Sequence, residues 1–479
     1  MRRFTVYDSM AREVRGFAPI VPPRVGLFVC GLTPYAEAHV GHGRSFVVFD
    51  MVARALRRWG YRVLYVQTVT NVDDKVIARA AEQGVDPLEL SDRNEREFLA
   101  SMEQLGVRSV NYYAYATDHI PDILAQVQAL IERGFGYVAS DGSVYFSVAK
   151  FPAYGRLSGQ RVEALKPGAR VETDERKRAP EDFVLWKAAK PGEPSWESPW
   201  GPGRPGWHIE DTAITTRIFG PRYDLHGAGL DLIFPHHEAE IAQAESATGE
   251  SPLVNYWMHA GMLNLGGEKM SKSLGNVFSL SKSIERHGPA VLRFYYLNAH
   301  YRSPVDFDPE KSLDEAKEAY ARLARPAERI AELLRRDGDD RPGVELPEER
   351  ATSAEELVER LDTTLAEDFN SREAIALLFG WSRTLSEELA GLDRLSGAAL
   401  HQLNAPYDWG AEVLGLFEVR GAEKTGGLAT IVPVALHARD RARARGDFAE
   451  ADRIRDELRA AGVLLEDDAK GTRWEPARE

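Results

Sequence analysis

Two periods of apolar residues alternate along the first quarter of the chain. Val25 to Val29 and Val63 to Val69 are short, strand-like runs, whereas Ser45 to Trp59 is a longer apolar stretch whose charged residues Asp50, Arg54, Arg57 and Arg58 fall in one narrow stripe at about 100° per residue. The pattern predicts parallel strands joined by helices, with the 45–59 helix mostly buried. From Asp118 to about Gly203 the pattern changes to a helix (Ile120 to Gly134), short strands (Tyr137 to Ala139, Val144 to Ser147) and a polar stretch ending in Pro- and Gly-rich sequence, which reads as an insertion between two halves of an open α/β fold. The second half resumes at Trp207 and carries another strand-like run, Tyr256 to Leu265. After Pro309 the chain turns helical and charged, with a break expected at 337–343 where turn formers cluster, and the helical spacing of Ala351 to Gly391 suggests a bundle. Near the end, Asp447 and Glu450 are spaced as a capping box and Gly462 as a stop. Phe448, Ala451, Ile454 and Leu458 share one face of that helix, so Phe448 is expected in a core or staple.

Composition narrows the class. At 479 residues the length suggests about three domains. No apolar run reaches the roughly 18 residues of a membrane span, and the opening MRRFTVYDSMAREV has too little apolar core for a secretory signal. A single cysteine excludes an intramolecular disulfide framework, so a reducing, cytoplasmic setting is expected, with no membrane partner. The net charge of −14 means that any nucleic-acid contact must be local. Two basic patches are candidates: Arg54, Arg57 and Arg58, and Arg439, Arg441, Arg443 and Arg445, the second reading equally well as a solvated helix face.

Two short blocks change the picture. His39-Val40-Gly41-His42 and Lys269-Met270-Ser271-Lys272-Ser273 each follow a strand-like run, and ligands of an open α/β sheet sit beyond the carboxyl ends of its strands. The helix after the first block directs free N–H groups and a partial positive charge at its amino end, which suits a triphosphate. His39 and His42 add donors that strengthen as charge grows on the α-phosphate and pyrophosphate, and Gly41 lets a nucleotide ring approach the backbone. Lys269 and Lys272 supply cations on a loop flanked by Gly266, Gly267 and Gly275, where closure over phosphates is easy. Either block alone could be a cap or a solvated basic turn; together they favour an ATP site that makes an acyl-adenylate.

With these blocks, Cys30-Gly31, Thr70-Asn71-Val72-Asp73-Asp74-Lys75, the run FVLWKAAKPGEPSWESPWGPGRPGWHIE from Phe183 to Glu210, Phe234-Pro235-His236-His237-Glu238, Asn255 to His259 and KMSKSLGN, the chain resembles the class I aminoacyl-tRNA synthetases, and within them the cysteinyl-tRNA synthetase family, nearly end to end. The resemblance implies a Rossmann-type catalytic domain over 1–309, with its insertion at about 118–203 and the lysine-loop region at about 255–305. A helical bundle over 310–420 and an anticodon-binding domain over 421–479 would follow. It implies a two-step reaction, in which the carboxylate of cysteine attacks the α-phosphate of ATP, used with Mg2+, and the aminoacyl group then passes to tRNA(Cys). Roles around the phosphates would fall to His39, Gly41, His42, Lys269, Ser271 and Lys272, and roles around the amino acid to Cys30, Thr70 and Trp207. A monomer is expected. The resemblance tips the patch of Arg439, Arg441, Arg443 and Arg445 toward RNA, and the family places an anticodon-stacking tryptophan where Phe448 stands.

The family also implies a single Zn2+ per chain, held by two cysteines, a histidine and a glutamate, with the substrate thiolate completing the coordination. The matching positions here are Cys30, Asp211, His236 and Glu240, so a carboxylate replaces one thiolate. Formal charge is kept while the donor set becomes harder and favours thiolate binding less. Leu32, Ala36, Asn71, Ala228 and Leu230 also depart from the family pattern, whereas His208, His226 and His237 are retained. Two other readings stay open: a relative that activates a different amino acid or joins it to a small amine, and a non-catalytic tRNA-binding derivative.

Overall fold

The central sheet has five strands, all parallel, in the order Val254–Ala260, Tyr223–Gly229, Arg24–Leu32, Arg62–Val69 and Tyr112–Tyr115. The computed structural model describes residues 1–160, 175–265, 268–269, 278–387, 389–417, 432, 435–436, 439, 443, 448–460, 463–468 and 471–476. Strand order reverses between Arg24–Leu32 and Tyr223–Gly229, so the crevice beyond their carboxyl ends is the topological switch point where open α/β folds take ligands. The strands are apolar on both faces, as a sheet covered on both sides requires: Val25, Leu27, Phe28 and Val29 are all buried.

One irregularity aims a side chain. Pairing of Arg24–Leu32 with Arg62–Val69 runs in register to Val29 opposite Gln67, then resumes at Leu32 opposite Val69, so three steps on one strand face two on the other. This is a bulge at Cys30 and Gly31. Gly31 is required there, because a Cβ would stand 1.4 Å from the Thr68 carbonyl oxygen.

The first long helix is Val40–Arg58, which begins inside the H-V-G-H block and not after it. Its polar stripe is an internal seam, which corrects the expectation of an RNA patch. Arg54 bonds Asp50 (2.8 Å) and the Gly106 carbonyl (2.6 Å), Arg57 bonds the Ser109 carbonyl and Asn111 (both 2.8 Å), and Arg58 bonds Asp362 (3.1 Å) and Glu412. Asp50 is fully buried and also accepts from the backbone N–H groups of Arg108 and Ser109 and from Arg293. Burial alone would raise its pKa, but Arg293 and Arg54 overcome that and hold it at about 2.

Between the sheet halves, the Ile120–Glu132 helix leads into an antiparallel four-stranded sheet: Gly136–Val138, Val144–Phe146, Phe183–Ala188 and Gly203–Pro205. The expected Tyr256–Leu265 strand is two: Val254–Ala260 stays in the parallel sheet, and Leu263–Leu265 pairs with Glu268–Lys269 and Val305–Asp306. Beyond it, helices Ser312–Asp337, Glu348–Leu365, Ser371–Glu387 and Gly397–Trp409 pack into a bundle. Among the described residues no helix is long and apolar enough to cross a membrane.

The chain divides into two compact units, Met1–Phe417 and Glu418–Glu479. In the second, the Phe448–Ala460 helix and an antiparallel hairpin, Val463–Asp468 with Gly471–Pro476, enclose a small core of Val432, Leu458 and Val463. Ala451 is buried and Ile454 packs on that core, but Phe448 is 64% exposed, which overturns the core or staple reading. Ten residues of helix put it about 15 Å from Leu458, past the reach of so small a core. Arg439 is buried and Arg443 is exposed; Arg441 and Arg445 lie outside the described residues.

Candidate active site

A cavity of about 600 Å3 opens at the switch point, walled by Cys30, Gly31 and Leu32 from one strand and Ala228 and Gly229 from its neighbour. At one end stand His39, Gly41 and His42. His39 is the N-cap of the Val40–Arg58 helix: its Nδ1 accepts from the Gly41 N–H (3.1 Å), while His42 Nδ1 accepts from the His39 N–H (3.2 Å). This is a capping box written in imidazoles, with the two rings stacked at 3.7 Å. A Cβ on Gly41 would press within 3.0 Å of the His39 ring, so the glycine serves the stack as well as any ligand. The rings are half-buried and face the cavity at the positive end of a helix dipole.

Lys269 lies in the Glu268–Lys269 strand, and Met270, Ser271, Lys272 and Ser273 lie outside the described residues. The strand before the block and the helix after it frame the site, since His39 pairs with Ser279 in an isolated bridge and Ser279 caps the Leu280–His287 helix.

At the other end the cavity is lined by Cys30, Thr70, Trp207, Asp211 and His236. Cys30 comes from the bulge, Asp211 from the Trp207–Phe219 helix, and His236 from the kinked Ile233–His237 turn that leads into the Glu238–Thr248 helix carrying Glu240. His236 Nε2 lies 2.9 Å from Asp211 Oδ2 and 2.8 Å from Glu240 Oε1, and its ring stacks on Trp207 at 4.4 Å. Donor atoms of Cys30, Asp211, His236 and Glu240 all lie within 4.8 Å of one another, and all four residues are buried. Thr70 donates to Glu210, a buried carboxylate next to Asp211.

Burial sets the charge states here. It pushes the Cys30 thiol well up, with Glu240 and Asp211 adding to the rise. It pushes Glu210 up strongly too, with Asp211 adding. Burial would lower His236, but Glu240 and Asp211 reverse that and carry it to about 10. His208, His226 and His237 go the other way, held neutral by burial.

A transition metal fits this donor set on structural grounds. Asp211 Oδ1 and Glu240 Oε2 are buried with no hydrogen-bond partner, a costly arrangement that a cation would relieve. One sulfur, one nitrogen and two carboxylates are ligands that zinc accepts.

The sequence reading missed Glu210, Tyr223, Ser9 and His259. Tyr223 hydroxyl meets His226 Nδ1 at 2.6 Å, and His259 links His237 Nδ1 (2.9 Å) to Ser9 (2.7 Å). The only signal for His259 was its place in the N-Y-W-M-H segment; its role follows from the sheet, which sets Val254–Ala260 beside Tyr223–Gly229 with His259 opposite Ala228. Of the departures from the family pattern, Asn71 has a structural task, since its amide exchanges hydrogen bonds with Thr117 through Nδ2 (2.8 Å) and Oδ1 (3.2 Å).

Comparison with known proteins agrees with this geometry. Residues 16–318 match the model of the tRNA synthetases class I (C) catalytic domain, and residues 425–474 that of the cysteinyl-tRNA ligase anticodon binding domain. The chain is 46% identical over 478 residues to the cysteine-tRNA ligase of Methylococcus capsulatus, covering 98% of this chain and 99% of that protein. It is 45% identical over 475 residues to that of Alkalilimnicola ehrlichii, with the same coverage. Among solved structures, Mycobacterium tuberculosis methionyl-tRNA synthetase in complex with methionyl-adenylate shares the fold, with a TM-score of 0.60 at 19% identity over 82% of this chain and 92% of that one. With its switch-point cavity, its histidine-capped helix and full-length similarity of this order, the chain belongs to the cysteine-tRNA ligase family of class I aminoacyl-tRNA synthetases.

Proposed function

We propose that this chain activates cysteine with ATP to cysteinyl-adenylate and transfers it to tRNA(Cys), acting as a cytoplasmic monomer with a single zinc ion. The observation that carries this reading is the cavity itself, lined by His39 and His42 and by Cys30, Asp211 and His236, with Glu240 buried within donor reach of the last three. A zinc ion held by those four residues would supply a Lewis-acidic anchor for the substrate sulfur. Trp207 and Thr70 line the same end of the cavity and bound the amino acid on its other sides.

The triphosphate of ATP, carried with Mg2+, lies against the amino end of the Val40–Arg58 helix. There His39 and His42 line the cavity, with both Nδ1 atoms committed to the cap. As the carboxylate oxygen bonds to the α-phosphorus and the bond to pyrophosphate breaks, negative charge builds where these imidazoles, Lys269 and Lys272 can donate. Gly41 keeps the helix end open to the nucleotide, and Ser271 belongs to the same closing loop. The 1–309 region would perform this chemistry, while 310–420 connects it to a tRNA-reading end over 421–479, where exposed Phe448 is available for stacking on a base.

A second reading, activation of another amino acid, is favoured by one observation: Asp211 and Ala228 both line the cavity. Pyrophosphate exchange with cysteine, serine and other amino acids, followed by charging of tRNA(Cys), separates the two. Exchange and charging with cysteine uphold the proposal. Exchange only with another amino acid replaces it, and ATP binding without exchange would make the chain a tRNA-binding derivative.

A further inference from the structure

Two cavities share a wall. The switch-point cavity and a neighbour of about 470 Å3, which is lined by Phe183, Val184 and Arg204 of the insertion, are both bounded by Thr33, Lys75 and Trp207. Lys75 is the second residue of the Asp74–Gln83 helix, and the N-cap Asp73 accepts a hydrogen bond from the Lys75 N–H (2.9 Å). Its ammonium lies 5.7 Å from the ring of Tyr35 and 5.7 Å from that of Trp207. Trp207 in turn stacks on His236, so one aromatic residue separates this cation from the donor set of Cys30, Asp211, His236 and Glu240.

Charge in the switch-point cavity makes this lysine stand out. Among the described residues that line it, Lys75 is the only lysine or arginine, whereas Asp211 and Asp231 contribute carboxylates. The cation of His236 is already shared by Asp211 and Glu240. In the neighbouring cavity, Lys187 and Arg204 are both paired with Asp74. Lys75 forms no ion pair among the described residues; its partners are the two rings. A ring face holds an ammonium more weakly than a carboxylate does, so Tyr35 and Trp207 keep the cation in place without satisfying it.

An amino acid awaiting activation brings a group that needs such a partner. Its carboxylate has to enter a cavity that already contains two others, and it has to stay ionised in order to attack phosphorus. We propose that Lys75 binds the α-carboxylate of the amino acid, with Tyr35 and Trp207 as its aromatic seat. This role rests on the proposed activation of an amino acid in the cavity and not on which one is activated. As the carboxylate oxygen bonds to the α-phosphorus it loses its charge, so the contact with Lys75 strengthens the ground state at least as much as the transition state. Its signature is therefore the KM for the amino acid more than kcat.

The test is steady-state pyrophosphate exchange by the full-length protein and its Lys75→Met and Lys75→Arg variants, with cysteamine as an inhibitor. Cysteamine has the thiol and the amine of cysteine but no carboxylate. Lys75→Met is expected to raise the KM for cysteine about ten- to a hundredfold, while kcat and the KM for ATP change by less than about threefold. Lys75→Arg keeps a cation and should recover most of the loss. Inhibition by cysteamine should be the same in the wild type and in Lys75→Met. An unchanged KM for cysteine in Lys75→Met would overturn the proposal, as would equal weakening of cysteine and cysteamine, which a merely structural role produces. Normal exchange with slowed transfer to tRNA would overturn it too, because Lys75 would then serve the nucleic acid. If the wild type exchanges only with another amino acid, the proposed function fails, and the same comparison between that acid and its decarboxylated amine still decides the role of Lys75.

Discussion

At the phosphate end of the cavity, His39 and His42 are half-buried and hold each other through backbone caps and a stacked pair of rings. At the metal end, Cys30, Asp211, His236 and Glu240 are buried, and every one of them carries or can carry charge. The first end is complete as folded, because a helix terminus leaves N–H groups and a dipole that need no counterion. The second end is not, because Asp211 and Glu240 share the cation of His236 and the other oxygen of each is buried with no hydrogen-bond partner. A third place in the molecule supplies the control: Asp50 is equally buried, but Arg54 and Arg293 provide its cation internally. Buried acids therefore mark a ligand site where they outnumber the bases that face them.

The largest effect is expected at the phosphate end. Lys272→Ala should slow adenylation by about a hundred- to a thousandfold while ATP binding weakens far less, as read from single-turnover rates and ATP affinity. Equal losses in both would deny Lys272 a role confined to the transition state.

Next comes the control. Asp50→Asn leaves Arg293 buried beside a neutral amide and should cost about 3–5 kcal/mol of unfolding free energy. In the wild-type protein the folded pKa of about 2 lies below the ordinary carboxylate value, so the stabilisation from Asp50 is complete above about pH 4. It fades as pH falls toward 2, by about 2 kcal/mol in all, and denaturant midpoints across that window should track it in the wild type and stay flat for this contribution in Asp50→Asn.

Smaller shifts sharpen the contrast further. Asp211→Cys restores a second thiolate and should raise zinc affinity and discrimination of cysteine against serine by about tenfold. Unchanged discrimination would separate Asp211 from recognition of the substrate. His39→Ala should cost about 1 kcal/mol of stability through the lost cap, whereas His39→Asn keeps a capping oxygen and should cost almost none. Both should slow adenylation, since neither carries an imidazole at that place.

Local pattern reached far into this protein. Alternating strand-like and helical runs announced the parallel sheet, the break after Asp337 and the bundle, because period and turn chemistry are properties of neighbours in the chain. The H-V-G-H block was legible as the lead-in to a helix, but its reciprocal cap was not, because the helix begins inside the block and not at Ser45. Where the reading failed, distant segments decided. The arginine stripe of the first helix looked like a free basic face, but Gly106, Ser109, Asp362 and Glu412 come from far along the chain to close over it. Phe448 fitted the helical face, but the small core it was assigned to is built around Leu458 and the hairpin.

The sequence by itself determined which elements form and that two histidines stand at the start of a helix, since those follow from spacing along one segment. Only the tertiary structure decided that Cys30 turns out of its strand at a bulge, and that parallel strands nearly two hundred residues apart in the chain bring His226 to its sulfur. Strand register is a contract between segments, and no single segment carries its terms.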